Sequence, residues 1–308
     1  MESDVRMELE MGMYGPGNGS LRGRTLALIK KYGFSSMRCL GQNFLVDERY
    51  ILRIVEAAGL TVDDLVLEVG PGFGFLTEAL ASRAGRVIAV ELDRRLIPIL
   101  EERFAGHPGI ELVHGDILKV NLTELLSSGI KSTGSCKVVA NLPYYITTPV
   151  IMKFLESWSL FKRIVITVQK EVAFRMTAGP GGKEYGAFSI AVQFRSVPEI
   201  VEVVPRSSFF PEPEVDSAIV RLEIRREPAV GLLDEAAFFA IVRAGFGKRR
   251  KTLRNALKGA GELGIGLDAL EEAFKISRID PARRAETLGM EEFARLADAI
   301  ASLRGMHL

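Results

Sequence analysis

Leu65-Val66-Leu67-Glu68-Val69-Gly70-Pro71-Gly72-Phe73-Gly74 decides the fold. A short, nearly continuous apolar run bounded by turn residues reads as a strand buried on both faces, as in parallel sheets. Glycines at every second position then let the backbone turn sharply and let a ligand approach without a Cβ in the way. An amphipathic helical pattern over 75–83 follows at once. Strand, glycine turn and helix together are the opening unit of a βαβ fold.

The same alternation continues on either side. Further strands are expected at 87–91, 110–113, 137–141 and 164–168, with helices at 49–58, 95–104 and 148–156. Upstream, a helical pattern begins at Leu21 and breaks at Tyr32-Gly33. Beyond Val168 the segments 190–194, 199–204 and 217–224 read as closing, partly antiparallel strands. After Leu232 only helical periodicity remains, punctuated by Gly and Pro.

The glycine turn has a particular spacing. A dinucleotide site uses G-x-G-x-x-G to seat a pyrophosphate on a helix N-terminus. Here the spacing is G-x-G-x-G, with an acid inside the strand end. S-adenosyl-L-methionine carries no phosphate. It needs room for a methionine arm and an acceptor for ribose hydroxyls. Glu91, closing the second strand, is placed for those hydroxyls; its bland alternative is a solvated strand-end charge. Asp116, in His114-Gly115-Asp116, can accept from an adenine amine, or can be an ordinary turn residue. The ends of the first four strands converge on one sheet edge, where open α/β sheets bind ligands. The expected fold is therefore α/β: a Rossmann-like S-adenosylmethionine-dependent methyltransferase sheet with a small all-helical C-terminal domain.

The fourth strand runs directly into Asn141-Leu142-Pro143-Tyr144, the candidate catalytic tetrad. An adenine N6 is a poor nucleophile because its lone pair is delocalised into the ring. Acceptors aimed at its two N–H groups favour a pyramidal nitrogen, and the Asn141 side-chain carbonyl and the Pro143 main-chain carbonyl can supply them. Pro143 fixes the loop, and Tyr144 offers a face on which a base can stack. The alternative is a loop in which Asn and Pro merely turn the chain.

Composition narrows the partners. The 308 residues are 47% hydrophobic with a net charge of +1, enough apolar matter for a real core and too much for global disorder. The mean charge hides a basic window, Arg243 to Lys258, with seven cations and no acid in sixteen positions. Lys248, Arg249, Arg250 and Lys251 are its centre, candidates for holding a phosphate backbone or, more plainly, a solvated helix face. Phe209 and Phe210 precede a proline-rich loop; one of them, with Phe210 the candidate, can stack on the far face of a base, the other packing in the core. Cys39 and Cys136 are the two cysteines and suggest neither a disulfide framework nor zinc. His107 and His114 lack partners at ligand spacing, so no metal is expected. No apolar run is long enough to span a bilayer, and the acidic N-terminus lacks a signal core. A cytoplasmic protein without membrane contact, acting as a monomer, is the expectation.

These residues resemble the ribosomal RNA adenine N6-dimethyltransferase family, specifically its small-subunit branch. The resemblance runs through Gly41-Gln42-Asn43-Phe44-Leu45, Glu68 to Gly72, Glu91-Leu92-Asp93, Gly115-Asp116 and Asn141 to Tyr144. It continues through Gln169-Lys170-Glu171-Val172, Phe210 to Ala218, Arg250 to Asn255 and Arg284 to Leu288. It implies that Asn43 and Leu45 line the cofactor site with Gly70, Glu91, Asp116 and Asn141. It also implies two adjacent adenosines near the 3′ end of 16S rRNA as targets, in an assembling small ribosomal subunit. Tyr145 departs from the Asn of many relatives and is expected to support the loop. A large-subunit (23S) rRNA methyltransferase of the macrolide-resistance type and a non-catalytic assembly factor on the same fold are the alternatives. A DNA adenine methyltransferase is disfavoured because no target-recognition domain is visible. The expected organisation is a flexible extension over 1–20, a catalytic domain over 21–228 and a helical RNA- or ribosome-binding domain over 229–308.

Overall fold

The computed structural model describes residues 19–34, 42–127, 136–248, 250–258, 260 and 264–305; Arg249, Cys39, Gly41 and most of the N-terminal extension lie outside them. Seven strands form the main sheet: β2 (Leu65–Val69), β3 (Arg86–Glu91), β4 (Ile110–His114), β5 (Cys136–Asn141), β6 (Phe161–Gln169), β7 (Ser196–Val204) and β9 (Ser217–Ile224). Their spatial order is β4-β3-β2-β5-β6-β9-β7. From β2 to β6 the strands run parallel, and β9 and then β7 add antiparallel edges. Two short strands, β1 (Phe44–Leu45) and β8 (Phe209–Phe210), make a separate antiparallel pair. The order reverses at β2, which has β3 on one side and β5 on the other; the crevice outside such a reversal is where an open α/β sheet takes a ligand.

Period-two geometry explains the layers. Leu65, Leu67 and Val69 face one side, packed with Leu122 and Leu126 of α5 (Leu122–Ser127) and Phe154 of α6 (Thr147–Glu156). Val66, Val87, Val139 and Val165 face the other, under Ile54 of α2 (Glu48–Ala58) and Leu80 of α3 (Phe75–Ala81). Glu68 shares the parity of Val66, so the pleat carries a carboxyl into that apolar layer. Two further helices, α1 (Leu21–Lys31) and α4 (Ile97–Arg103), belong to this half of the chain.

At the N-terminal edge of the parallel strands the buried charges are structural. Lys137 pairs with Asp64 at 2.7 Å and donates to Gly59 O at 2.6 Å, and Arg163 donates to Ala58 O at 3.0 Å. Together they satisfy carbonyls left over where α2 ends.

One strand expectation fails. Residues 190–194 lie in a helix, α8 (Ala187–Arg195), packed beside α7 (Lys170–Thr177). Ile190 and Phe194, one helical turn apart, enter a second core with Phe238, Phe274 and Phe293. Val192 enters the sheet core instead. A helix buried on both sides shows no amphipathic period, and its β-branched and aromatic residues then mimic a strand. After β9 the described residues hold helices and no strand: α9 (Glu235–Gly247), α10 (Leu253–Leu257), α11 (Leu267–Ser277) and α12 (Met290–Gly305).

Candidate active site

The C-terminal ends of β2 to β5 line a cleft with about 740 Å³ of empty space, part of it open to solvent. Its floor is the glycine turn. Gly70, Gly72 and Gly74 have φ of 69°, 60° and 80°, a region other residues enter at a cost. A Cβ on Gly72 would also stand 3.1 Å from the Phe44 ring. The turn is thus shaped both by backbone chirality and by the aromatic side chain of β1 above it.

Glu91 ends β3 with both carboxylate oxygens anchored. One accepts from Asp93 N–H at 2.8 Å and the other from Gly72 N–H at 3.3 Å. Burial nevertheless pushes its pKa up to about 7. Burial works in the same direction on Asp93, but hydrogen bonds from Arg95 and Gln42 outweigh it and hold that carboxyl below its usual range. Gln42 Nε2 donates to Asp93 at 2.7 Å. Asp116 lies beyond β4 and accepts from Leu118 N–H at 2.9 Å. Its loop is fastened to α6 by Lys153, whose ammonium donates to Leu118 O at 2.9 Å and Val120 O at 2.6 Å.

Asn141, the last residue of β5, donates through Nδ2 to Asn43 O at 3.0 Å. That bond fixes the amide so that Oδ1 is the group left to accept. Pro143, with φ −59° and ψ 131°, leads into a 3₁₀ turn, Tyr144–Ile146, and then α6. The Pro143 carbonyl, assigned above to the target amine, already accepts from Ile146 N–H at 3.2 Å and the Thr147 hydroxyl at 3.1 Å. Leu142, in the same turn, also lines the cavity. The Tyr144 hydroxyl meets Ser217 Oγ at 2.6 Å, and burial raises its phenol above the ordinary value. Tyr145, half exposed, forms part of the cavity wall.

Of the residues singled out in the sequence, Asn43, Gly70, Glu91, Asp116, Asn141, Leu142, Pro143 and Tyr144 line this one cavity. Leu45 does not; it packs in the core and borders a smaller cavity of about 430 Å³ behind the glycine turn. Glu68 borders that smaller cavity too. It is fully buried, its oxygens and the nearby Thr77 hydroxyl make no well-formed hydrogen bond, and burial, only weakly opposed by that hydroxyl, raises its pKa to about 8. Among the described residues the main cavity has two carboxylates, Glu91 and Asp116, and no lysine or arginine in its lining. Such a wall suits a cation and repels a phosphate. Among the described residues no group of His, Cys, Asp and Glu is arranged to hold a metal, and no helix is long and apolar enough to cross a membrane.

Residues 33–302 match the family model described as ribosomal RNA adenine dimethylase. The chain belongs to this family. A small subunit rRNA methyltransferase A of Moorella thermoacetica is 50% identical over 280 residues, 89% of this chain and 96% of that protein. A protein of the same name from Shouchella clausii is 46% identical over 279 residues, 91% and 94% of the two chains. Among solved structures, a dimethyladenosine transferase from Plasmodium falciparum superposes with a TM-score of 0.66 at 28% identity, covering 81% of this chain and 94% of that one. The 23S rRNA methyltransferase ErmE gives 0.63 at 30% identity, covering 84% and 100%. These neighbours agree with the Rossmann-like methyltransferase sheet expected for this family member.

The candidate RNA residues lie elsewhere on the family member. Lys248, Arg250 and Lys251 are exposed in the connection between α9 and α10. Phe209 is fully buried, as one of the two phenylalanines was expected to be. Phe210 pairs with Phe44 across β1 and β8, packs against an aromatic cluster and is not among the residues lining the cavity. Two supporting residues were given no role in the sequence: Lys153 behind Asp116 and Ser217 behind Tyr144. Glu68, the acid noted inside the strand end, lies behind the glycine turn.

Proposed function

We propose that the chain transfers methyl groups from S-adenosyl-L-methionine to N6 of two adjacent adenosines near the 3′ end of small-subunit (16S) rRNA. The observation that carries this reading is Asn141, held by Asn43 so that its carbonyl is left to accept, in the wall of a cavity lined, among the described residues, by two carboxylates and no lysine or arginine. Gly70 and Gly72 give the cofactor's methionine arm close access to the backbone. Glu91 accepts from the ribose hydroxyls and Asp116 from the adenine amine. When bound, the cofactor supplies an electrophilic methyl group on a cationic sulfur. Asn141 Oδ1 and the Leu142 carbonyl accept from the two N–H groups of the target amine and leave its lone pair available. Tyr144 stacks on the flipped base. The proton leaves after transfer, so no strong general base is required. Lys248, Arg250 and Lys251, with Arg249, hold phosphates away from the chemistry.

The likeness to ErmE favours a second reading, in which the substrate is large-subunit RNA. Relatives at 46–50% identity named for the small subunit weigh against it. Purified small and large subunits, incubated separately with the protein and methyl-labelled cofactor, decide between them. Label in small-subunit adenines is expected. Label only in large-subunit RNA would overturn the proposal.

A further inference from the structure

Two sequence blocks have no part in the chemistry above: Gln169-Lys170-Glu171 and Glu214-Val215-Asp216. In the fold they line one open groove of about 1290 Å³, together with Phe174, Glu184 and Arg206. The groove lies on the same sheet edge as the tetrad, one strand further along. Gln169 ends β6 and pairs with Ser217 at the start of β9, and Lys170 N–H donates to Asp216 O at 3.0 Å. Ser217 is also the residue that holds the Tyr144 hydroxyl. The Tyr144–Ser217 contact therefore joins the wall of the cofactor cavity to the wall of the groove.

The chemistry of the groove is specific. Phe174 and Val215 are 44% and 43% exposed, a bare aromatic and apolar surface beside the reacting centre. Glu171, Glu184, Glu214 and Asp216 outnumber Lys170 and Arg206, and Arg206 is already paired with Glu212 at 3.0 Å. A phosphate is repelled by this rim, whereas the exocyclic amine of a base finds acceptors there. A base stacked on Tyr144 has strand neighbours, and those neighbours cannot occupy the cofactor's side of the tetrad. The groove opens on the other side, along the ends of β6 and β9.

We propose that this groove holds the base of the nucleotide next to the target adenosine, unstacked from the RNA and set against Phe174 with its amine facing the carboxylates, while its phosphates lie outside the acidic rim. It is a waiting site for an amine-bearing base, and for two adjacent adenosines it holds the one not being methylated. This inference rests on the reading that the substrate is RNA with adjacent adenosines.

The test is a double-mutant cycle on small subunits whose 16S rRNA carries either both adenosines or an abasic residue in place of one. With the wild-type protein, the abasic residue lowers kcat/KM at the remaining adenosine by about tenfold, the scale of one base–aromatic stack. Phe174→Ala lowers it by a similar factor on the doubled-adenosine subunit and makes the abasic change nearly neutral, because both remove the same stack. Glu171→Gln gives a smaller loss, also confined to the adenosine form. Cofactor affinity, by calorimetry, stays within twofold in both variants. Losses that multiply, as a basic peptide in the groove would produce, overturn the inference, and so does an unchanged rate in Phe174→Ala. If the wild-type protein labels no small-subunit adenosine at all, the functional reading falls and takes the waiting site with it; the two failures are told apart by that control.

Discussion

The Tyr144 hydroxyl lies 2.6 Å from Ser217 Oγ, although the two residues are 73 positions apart in the chain. Ser217 is fully buried at the first position of β9, so its hydroxyl is a fixed point, and it sets the plane of the tyrosine ring. Ser217→Ala leaves a largely buried phenol without its partner, a loss on the order of 1–3 kcal/mol. The expected result is a fall of roughly five- to 150-fold in kcat, with cofactor affinity unchanged. Ser217→Thr, which keeps the hydroxyl, should restore most of the rate. Equal loss in both variants would show that packing rather than the hydrogen bond matters at this position.

Asn141 is the residue on which the proposed chemistry depends most directly. Asn141→Ala removes the acceptor fixed by Asn43 and should lower the methyl-transfer rate by about 10²–10³, the range for losing one preorganised polar group. RNA binding, measured by filter retention, should change by less than about threefold, since the basic connection after α9 is untouched. Turnover at the wild-type rate in this variant would remove Asn141 from the mechanism.

Glu68 makes stability depend on pH in a direction opposite to most carboxylates. Its pKa is about 8 in the folded chain against 4.5 as the ordinary value, so between these pH values the folded state holds a proton that the unfolded state has lost. Stability then falls as pH rises. The contribution is complete below pH 4.5 and is lost as pH passes through 8. Glu91, raised to about 7, adds a fall of the same sign at lower pH. Glu68→Gln should flatten the part of the decline between about pH 5 and 8 and raise Tm at pH 9 relative to wild type. Thermal melts of both proteins at pH 6 and pH 9 check this; parallel Tm values at the two pH values would mean that Glu68 is already ionised in the folded state.

What could be read from the sequence follows from how each element is buried. β2, β3 and β5 are covered on both faces, so their apolar runs are continuous and their ends, with Gly70, Glu91 and Asn141, could be placed within a residue. The Leu142 to Tyr144 turn follows directly from that. α8 was misread for the same physical reason: two cores claim it from opposite sides, and the period that marks a helix disappears. Ser217 and Lys153 were out of reach because their roles arise only when β9 is laid beside β6 and α6 beside the Asp116 loop. Nothing local to Leu45 distinguishes a cavity wall from a core position, and the fold places it in the core. The Pro143 carbonyl reads as an acceptor in the sequence, but the 3₁₀ turn and the start of α6 that follow it consume the oxygen.

The basic connection after α9 carries the last prediction. Lys248, Arg250 and Lys251 are exposed, and each phosphate they neutralise should release condensed counterions. Replacing all three with Gln should make the plot of log affinity against log salt shallower by about two to three for structured RNA, close to one unit per lost contact. Affinity at low salt should fall more than tenfold, and the preference for the natural site over unrelated RNA should change little, because phosphate contacts position without reading bases. Cofactor binding, some distance along the chain at the β2 to β5 strand ends, should be unaffected. Fluorescence anisotropy across a salt series measures the slope. An unchanged slope would assign these cations to a solvated surface and move the RNA footprint elsewhere on the protein.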